Sequence, residues 1–270
     1  MNPTPATTSA AREQFQTLHQ SGSFIIPNPY DVGSARLLEA MGFSALATTS
    51  AGFAWSLGRP DTGVTREELV THVAAITASV AVPLNVDAER CFAEDLSGVA
   101  ETIDRLAEAG ASGISIEDWN PATQSIDSLA TAAARVEAAA KAAKQHGVLI
   151  TARCENHIHG LTDFDDTLNR LRAYRDAGAD VLFAPGISTT EQIEKVVGLG
   201  LPVNVILVTT PLSAVELGNL GVRRVSVGGS LARFAQGAMV AAAQQLLDHG
   251  RYDSANVRTP DALMQQAFRI

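Results

Sequence analysis

Two hydrophobic rhythms take turns along the chain. Short runs that alternate or are apolar throughout, such as Phe24-Ile25-Ile26-Pro27 and Asp180-Val181-Leu182-Phe183-Ala184, predict strands. Between them, apolar residues recur every three or four positions, as at Leu96, Val99, Ile103 and Leu106, and predict helices. In order, the pattern gives a helix around 12–20, a strand at 24–27, a helix over 32–41 ended by Gly42, and a strand at 44–50. Thr65 with Glu68 three residues on is a capping-box signal for the next helix. Strands then follow at 83–89, 113–117, 148–155, 180–184, 202–207 and 223–227, with Gly110 and Gly178 closing two of the helices between them. An alanine-rich helix lies over 128–145, and Phe164, Leu168 and Leu171 mark another helical face.

Eight strands in strict alternation with helices, within this length, predict a (β/α)8 TIM barrel formed as a single domain over 1–270. Residues 1–9 read as a loose tail. Helices near 231–247 and 261–268 are surplus to the barrel, so about 229–270 is expected to serve oligomerisation.

One strand departs from the pattern of a sheet buried on both faces. In Pro83-Leu84-Asn85-Val86-Asp87-Ala88-Glu89, strand parity puts Leu84, Val86 and Ala88 on one side and Asn85, Asp87 and Glu89 on the other. If the apolar side meets the helices, the inward positions late in the strands are Thr48 and Ser50, Asn85, Asp87 and Glu89, Ser115 and Glu117, Thr151, Arg153 and Glu155, and Asn204. Such a barrel carries its active site where the strands end, so these residues share one mouth. Burying that many carboxylates around one arginine is costly without a ligand. Asp87, Glu89, Glu117 and Asp61 form a hard oxygen cluster suited to Mg²⁺ held partly through water. Arg153 would bind a substrate carboxylate while the metal polarises a carbonyl and stabilises an enolate.

Composition narrows the partners. The 270 residues are 46% hydrophobic and 18% charged, with no apolar run of membrane-spanning length. The net charge of −9 argues against nucleic acid or an acidic membrane surface, and leaves a small-molecule carboxylate as the expected partner. Cys91 and Cys154 form neither a disulfide framework nor a zinc motif, and the opening residues lack the pattern of a secretory signal; a cytoplasmic location is expected.

Taken together and in order, several segments are similar to the isocitrate lyase/phosphoenolpyruvate mutase superfamily over nearly the full length. They are Pro29-Tyr30-Asp31-Val32-Gly33-Ser34-Ala35 with Met41-Gly42-Phe43, then Thr48-Thr49-Ser50-Ala51-Gly52 and Gly58-Arg59-Pro60-Asp61. Gly113-Ile114-Ser115-Ile116-Glu117-Asp118, Thr151-Ala152-Arg153-Cys154-Glu155 and Ala177-Gly178-Ala179-Asp180 complete the set. The resemblance implies a Mg²⁺-dependent enzyme, with Mn²⁺ able to substitute, that makes or breaks a C–C or P–C bond of a small 2-oxo acid through an enolate. It implies helix-swapped dimers paired into tetramers. Asp87 then corresponds to the direct metal ligand, with Asp61 and Glu117 holding metal-bound waters. Ser50, Ala51 and Gly52 correspond to the carboxylate cradle and Arg153 to its cationic partner; Tyr30 and the inward Asn204 are expected as further substrate contacts.

The departures direct the reading within that superfamily. Asn85 stands where the family's metal strand usually carries a first aspartate, and Glu89 is placed to compensate. The family's Lys-Arg-Cys-Gly-His loop, whose cysteine is the general acid of isocitrate and methylisocitrate lyases, is replaced by Asp118-Trp119-Asn120-Pro121-Ala122-Thr123-Gln124-Ser125. The expectation is a lyase or decarboxylase for an oxaloacetate-like 2-oxo acid. A phosphonopyruvate hydrolase or mutase and a non-catalytic metabolite-binding barrel are the alternatives. Two rival features remain: Gly228-Gly229-Ser230 is placed like the phosphate-binding turn of sugar-phosphate isomerases, and His157-Ile158-His159 could pair on zinc. By parity Cys154 faces outward, and Trp55 and Trp119 fall in mouth loops.

Overall fold

The computed structural model describes residues 5–251 and 258–268. Eight parallel strands run in the order expected of the sequence: β1 (Phe24–Ile26), β2 (Leu46–Ala47), β3 (Leu84–Asp87), β4 (Gly113–Glu117), β5 (Leu149–Arg153), β6 (Val181–Phe183), β7 (Val203–Ile206) and β8 (Arg224–Ser226). From β2 to β8 each pairs with the next, β8 pairs with β1, and between β1 and β2 the Ala47 N–H donates to the Pro27 carbonyl at 3.0 Å across the remaining seam. The result is a nearly closed (β/α)8 barrel.

The helices start where short polar side chains can take the first free N–H groups. Thr65 and Glu68 form the capping box that the sequence predicts, at the start of α4 (Arg66–Thr77), after α2 (Val32–Ala40) and α3 (Ser50–Ser56). The helices α5 (Leu96–Glu108), α6 (Leu129–His146), α7 (Phe164–Asp176), α8 (Thr190–Val197) and α9 (Ala214–Asn219) complete the outer ring. Their apolar stripes pack on the outward faces of the strands, where Val86, Ile114, Ile116 and Ile150 are buried against Val99, Ile103, Leu106 and Leu171. Leu96, expected on that stripe, sits in the first turn of α5 and is exposed. No described helix is long and apolar enough to cross a membrane.

Four local differences from the sequence reading have physical causes. The N-terminal helix α1 spans Pro5–Leu18, so residues 5–9 belong to it, and 1–4 lie outside the described residues. Its Arg12 donates to the carbonyls of Ala107, Ala111 and His146, which anchors the helix beneath the barrel. The strand expected at 44–50 is cut to two residues, because Thr49 caps α3 and Ser50 is already helical. The strand expected at 83–89 is regular only to Asp87, although the Ala88 N–H still donates to the Ser115 carbonyl at 3.1 Å and the Glu117 N–H to the Glu89 carbonyl at 3.0 Å; Glu89, Cys91 and Phe92 adopt φ of +47°, +61° and +51° and turn the chain away. Arg135 on α6 holds that turn by donating to the carbonyls of Arg90, Ala93 and Glu94. Finally, residues 119–126 form a small antiparallel hairpin, Trp119–Asn120 with Ser125–Ile126.

Inside the barrel the side chains stack in layers. The lower end is plugged by α1: Phe15 is fully buried, and its ring lies so close to Gly113 that a Cβ there would come within 2.5 Å of it. His19 packs edge-on to Phe15, with ring centroids 4.6 Å apart. The middle layer holds Asn85, Thr151, Asn204 and Arg224. The upper layer is acidic. Beyond the barrel, α11 (Asp261–Phe268) returns to pack on α2, whereas α10 (Ser230–His249) runs out with Ala232 as its one buried residue.

Candidate active site

Strand ends bring the predicted residues together around a cavity of about 190 Å³ at the upper mouth. Asp61, Asp87, Ser50, Ala51, Arg153 and Asn204 all line it. At its centre Arg153, the last residue of β5, meets a different carboxylate with each nitrogen. Its Nη1 donates to Asp87 Oδ1 at 2.7 Å and its Nε to Glu155 Oε1 at 2.9 Å, while Nη2 lies 3.1 Å from Glu117 Oε2. The guanidinium also lies 5.5 Å from the Phe183 ring centroid. Burial would lower its pKa, but Glu155, Asp87 and Glu117 outweigh that and hold it above the ordinary arginine value.

The acids outnumber this cation. Asp87 is fixed by the Ser50 N–H, which donates to Oδ2 at 3.2 Å, and its own N–H donates to Thr48 Oγ1 at 2.8 Å. Burial, then Asp87, raises Asp61, while a hydrogen bond from Ser50 works the other way. Burial pushes Glu89 up to about 8, with Asp87 and Asp61 adding to it. Burial likewise holds Glu117 well above the usual carboxylate range and raises Glu155, each offset in part by Arg153.

Glu89 lies just past the regular strand, in the same acid cluster as Asp87 and Asp61. Its N–H donates to Asp87 Oδ1 at 3.4 Å, and its buried Oε1 has no hydrogen-bond partner. An orphaned carboxylate oxygen within a surplus of buried acid is the donor chemistry of a hard divalent cation. Among the described residues no three acidic, histidine or cysteine side chains converge as a ready ligand set. The residues therefore fit an ion such as Mg²⁺ that takes one or two carboxylates directly and keeps most of its water.

Other predicted residues have different surroundings. Gly52 and Tyr30 lie outside the cavity lining: a Cβ on Gly52 would meet Tyr30 Cβ at 3.0 Å and Ala232 Cβ at 3.2 Å, so this glycine serves the close approach of α3 to α10. The Gly52 N–H donates to Thr49 Oγ1 at 3.3 Å as a helix cap. In the phosphate-type turn, the N–H groups of Val227 and Gly228 donate to Asn28 Oδ1 at 2.9 and 2.8 Å and the Ser230 N–H to the Val227 carbonyl at 3.3 Å, which engages most of the donors a phosphate would use. The two histidines do not converge: His159 stacks on Trp119 at 3.5 Å and 8°, and His157 sits edge-on to Phe164. Trp55 packs under Arg233, at 5.3 Å. Cys154 is fully buried, with its thiol raised by that burial, and burial pushes the Cys91 thiol up to about 12, so neither is a nucleophile.

Two supporting groups are new. Asp118, just past β4, accepts from the Glu155 N–H at 2.8 Å and from the Tyr174 hydroxyl at 2.6 Å, with Arg170 Nη1 at 3.3 Å. It thereby joins the ends of β4 and β5 to α7 and sets the backbone from which Glu155 reaches Arg153. Arg224 is the other, and strand parity in Arg224-Val225-Ser226 places it inward.

The sequence profile of the phosphoenolpyruvate phosphomutase family matches residues 15–247. A crystal structure of a protein from Burkholderia cenocepacia J2315, provisionally described as a lyase/mutase, is 44% identical with a TM-score of 0.93, over 98% of each chain. The oxaloacetate decarboxylase of Bradyrhizobium sp. (strain BTAi1 / ATCC BAA-1182) is 30% identical over 81% of this chain and 77% of its own. The structure of 2,3-dimethylmalate lyase, a member of the same superfamily, is 26% identical with a TM-score of 0.84, over 98% of this chain and 95% of its own.

Proposed function

Because the chain belongs to the phosphoenolpyruvate phosphomutase family, within the isocitrate lyase/phosphoenolpyruvate mutase superfamily, we propose that it is a Mg²⁺-dependent carbon–carbon lyase acting on a small, oxaloacetate-like 2-oxo acid. The observation that carries this reading is the cavity lined by Asp61, Asp87 and Arg153, where Asp87, Glu117 and Glu155 pair with that one arginine and Glu89 is buried beside Asp87. Asp87 would hold the metal directly, and Asp61, Glu89 and Glu117 would hold its waters. When bound, the ion supplies Lewis-acid polarisation of the 2-oxo group and charge stabilisation of the enolate. Ser50 and Ala51 orient the ligand beside it, and Arg153 keeps Asp87 and Glu117 in fixed positions.

Decarboxylation suits the rest of the mouth. A lyase that expels an aldehyde or a second oxo acid needs an acid or base on the leaving fragment. The hairpin over 119–126 carries no cysteine, lysine or histidine. A departing CO₂ needs no such proton transfer, and the enolate left behind can be protonated from water.

Purified protein with Mg²⁺ is to be assayed against oxaloacetate, phosphonopyruvate and other 2-oxo acids. Turnover of an oxaloacetate-like acid, abolished by EDTA and in Asp87→Ala, is the expected result. Cleavage of phosphonopyruvate alone would replace it with P–C chemistry, and binding without turnover across the panel would leave a metabolite-binding barrel.

The same reading makes the protein a homo-oligomer, a dimer of dimers that exchanges its C-terminal helices. What supports it is α10, whose Phe234 and Leu247 are 78% and 82% exposed beside Met239 and Val240.

A further inference from the structure

The barrel interior holds a second arginine that no acid among the described residues balances. Arg224 is 3% exposed and lines the same cavity as Asp87 and Arg153. Its Nε donates to Asn204 Oδ1 at 2.8 Å, its Nη2 to Thr151 Oγ1 at 2.9 Å and its Nη1 to Asn85 Oδ1 at 3.3 Å. All three acceptors are neutral, and they use three of the five guanidinium N–H groups. Among the described residues Arg224 makes no ion pair; burial alone moves it, down to about 9, so it is still a cation at neutral pH. Buried charges are ordinarily matched by an opposite one.

The contrast with Arg153 is in how fully each is satisfied. Arg153 has a carboxylate at every nitrogen, so an anion arriving from solvent finds it already balanced. Deeper in the cavity, Arg224 is a cation with two N–H groups to spare. Asn85 sharpens the point: an acid here would cancel the charge of Arg224, whereas the amide oxygen orients the guanidinium and leaves its charge uncompensated.

We propose that Arg224 is the anion-binding group at the floor of the cavity and receives one carboxylate of a four-carbon dicarboxylate whose other end lies at the acidic mouth. Asn85, Asn204 and Thr151 position it. This rests on reading the cavity as a 2-oxo acid site, and it makes that substrate a dicarboxylate, recognised from below by charge and from above through the metal.

Succinate is the probe, since it lacks the 2-oxo group and its binding can be followed by calorimetry with Mg²⁺ present and without turnover. Wild-type protein is expected to bind succinate and to prefer it to butyrate. Arg224→Gln should weaken binding at least tenfold, and Arg224→Lys should recover part of the loss. Asn85→Asp is the decisive variant: it keeps the arginine and gives it an internal partner, so the fold is retained while succinate affinity falls at least tenfold. Undiminished affinity in both Arg224→Gln and Asn85→Asp, or a wild type that ignores succinate, would overturn the proposal. No turnover is measured, so failure of the lyase reading and failure of this one register in separate experiments.

Discussion

Arg153 donates from Nη1 to Asp87 Oδ1 at 2.7 Å, and so pairs with the carboxylate best placed to hold a metal. Removing this arginine leaves Asp87, Glu117 and Glu155 facing one another in a buried space. In EDTA, Arg153→Ala is expected to lower stability by about 3–5 kcal/mol, the scale of a broken buried pair. Mg²⁺ should restore more stability to the variant than it adds to wild type, because a cation then meets unpaired acid. Denaturant titrations with and without Mg²⁺ measure both, and equal metal effects in the two proteins would count against the shared-acid arrangement.

Glu89 makes the metal-free protein pH-sensitive. Its folded-state pKa of about 8 lies above the ordinary glutamate value of 4.5, so the native state binds the proton more tightly than the unfolded chain. Stability is therefore greatest at low pH on this account and declines as pH rises from about 4.5 to about 8, by roughly 1.4 kcal/mol per unit at most. Glu89→Gln should flatten that decline and be more stable than wild type above pH 8 in EDTA. A variant whose pH profile parallels wild type would remove Glu89 from the buried acid cluster.

Tyr174 acts on the site at a distance, by donating to Asp118 Oδ2 at 2.6 Å. Tyr174→Phe deletes a hydrogen bond to a buried carboxylate and should cost about 1.5–3 kcal/mol. Amide exchange at Glu155, whose N–H donates to the same aspartate, should accelerate more than at strand residues far from α7.

The stack of Trp119 on His159 links the hairpin after β4 to the loop after β5, at 3.5 Å between centroids. A double-mutant cycle with alanine at both positions should give a coupling of about 0.5–1.5 kcal/mol. A coupling near zero would mean that the two mouth loops move independently.

If α10 is an interface, charge placed on it should break the assembly. Phe234→Glu with Leu247→Glu should shift the sedimentation coefficient of wild type toward that of a monomer, leaving the barrel's far-UV circular dichroism intact. An assembly that survives both substitutions would place the interface elsewhere.

Much of this was legible in the sequence because barrel strands obey one parity. That rule puts Asp87, Glu117, Arg153 and Asn204 inward, and all four stand in the barrel's upper and middle layers. Glu89 also joins Asp87, Asp61 and Arg153, although its left-handed φ lies past the regular strand. Arg224 was overlooked although parity puts it inward: a doubled Arg223-Arg224 at a strand start resembles solvated charge, and the bonds to three other strands show the second of them to be interior. Asp118 was hidden because its partners Arg170 and Tyr174 come from a helix more than fifty residues on. Arg153 itself was visible, but the number of acids it already serves was not.

The plug formed by Phe15 and His19 makes the cavity one-ended, so everything that enters by the acidic mouth must leave by it. Cleavage in such a blind well fixes the order in which fragments escape. The piece nearest the opening departs first, and the piece anchored at the floor departs last. The last fragment to leave should then compete with incoming substrate for the empty site, while the first should inhibit in another pattern. Steady-state product inhibition would read the direction of the well.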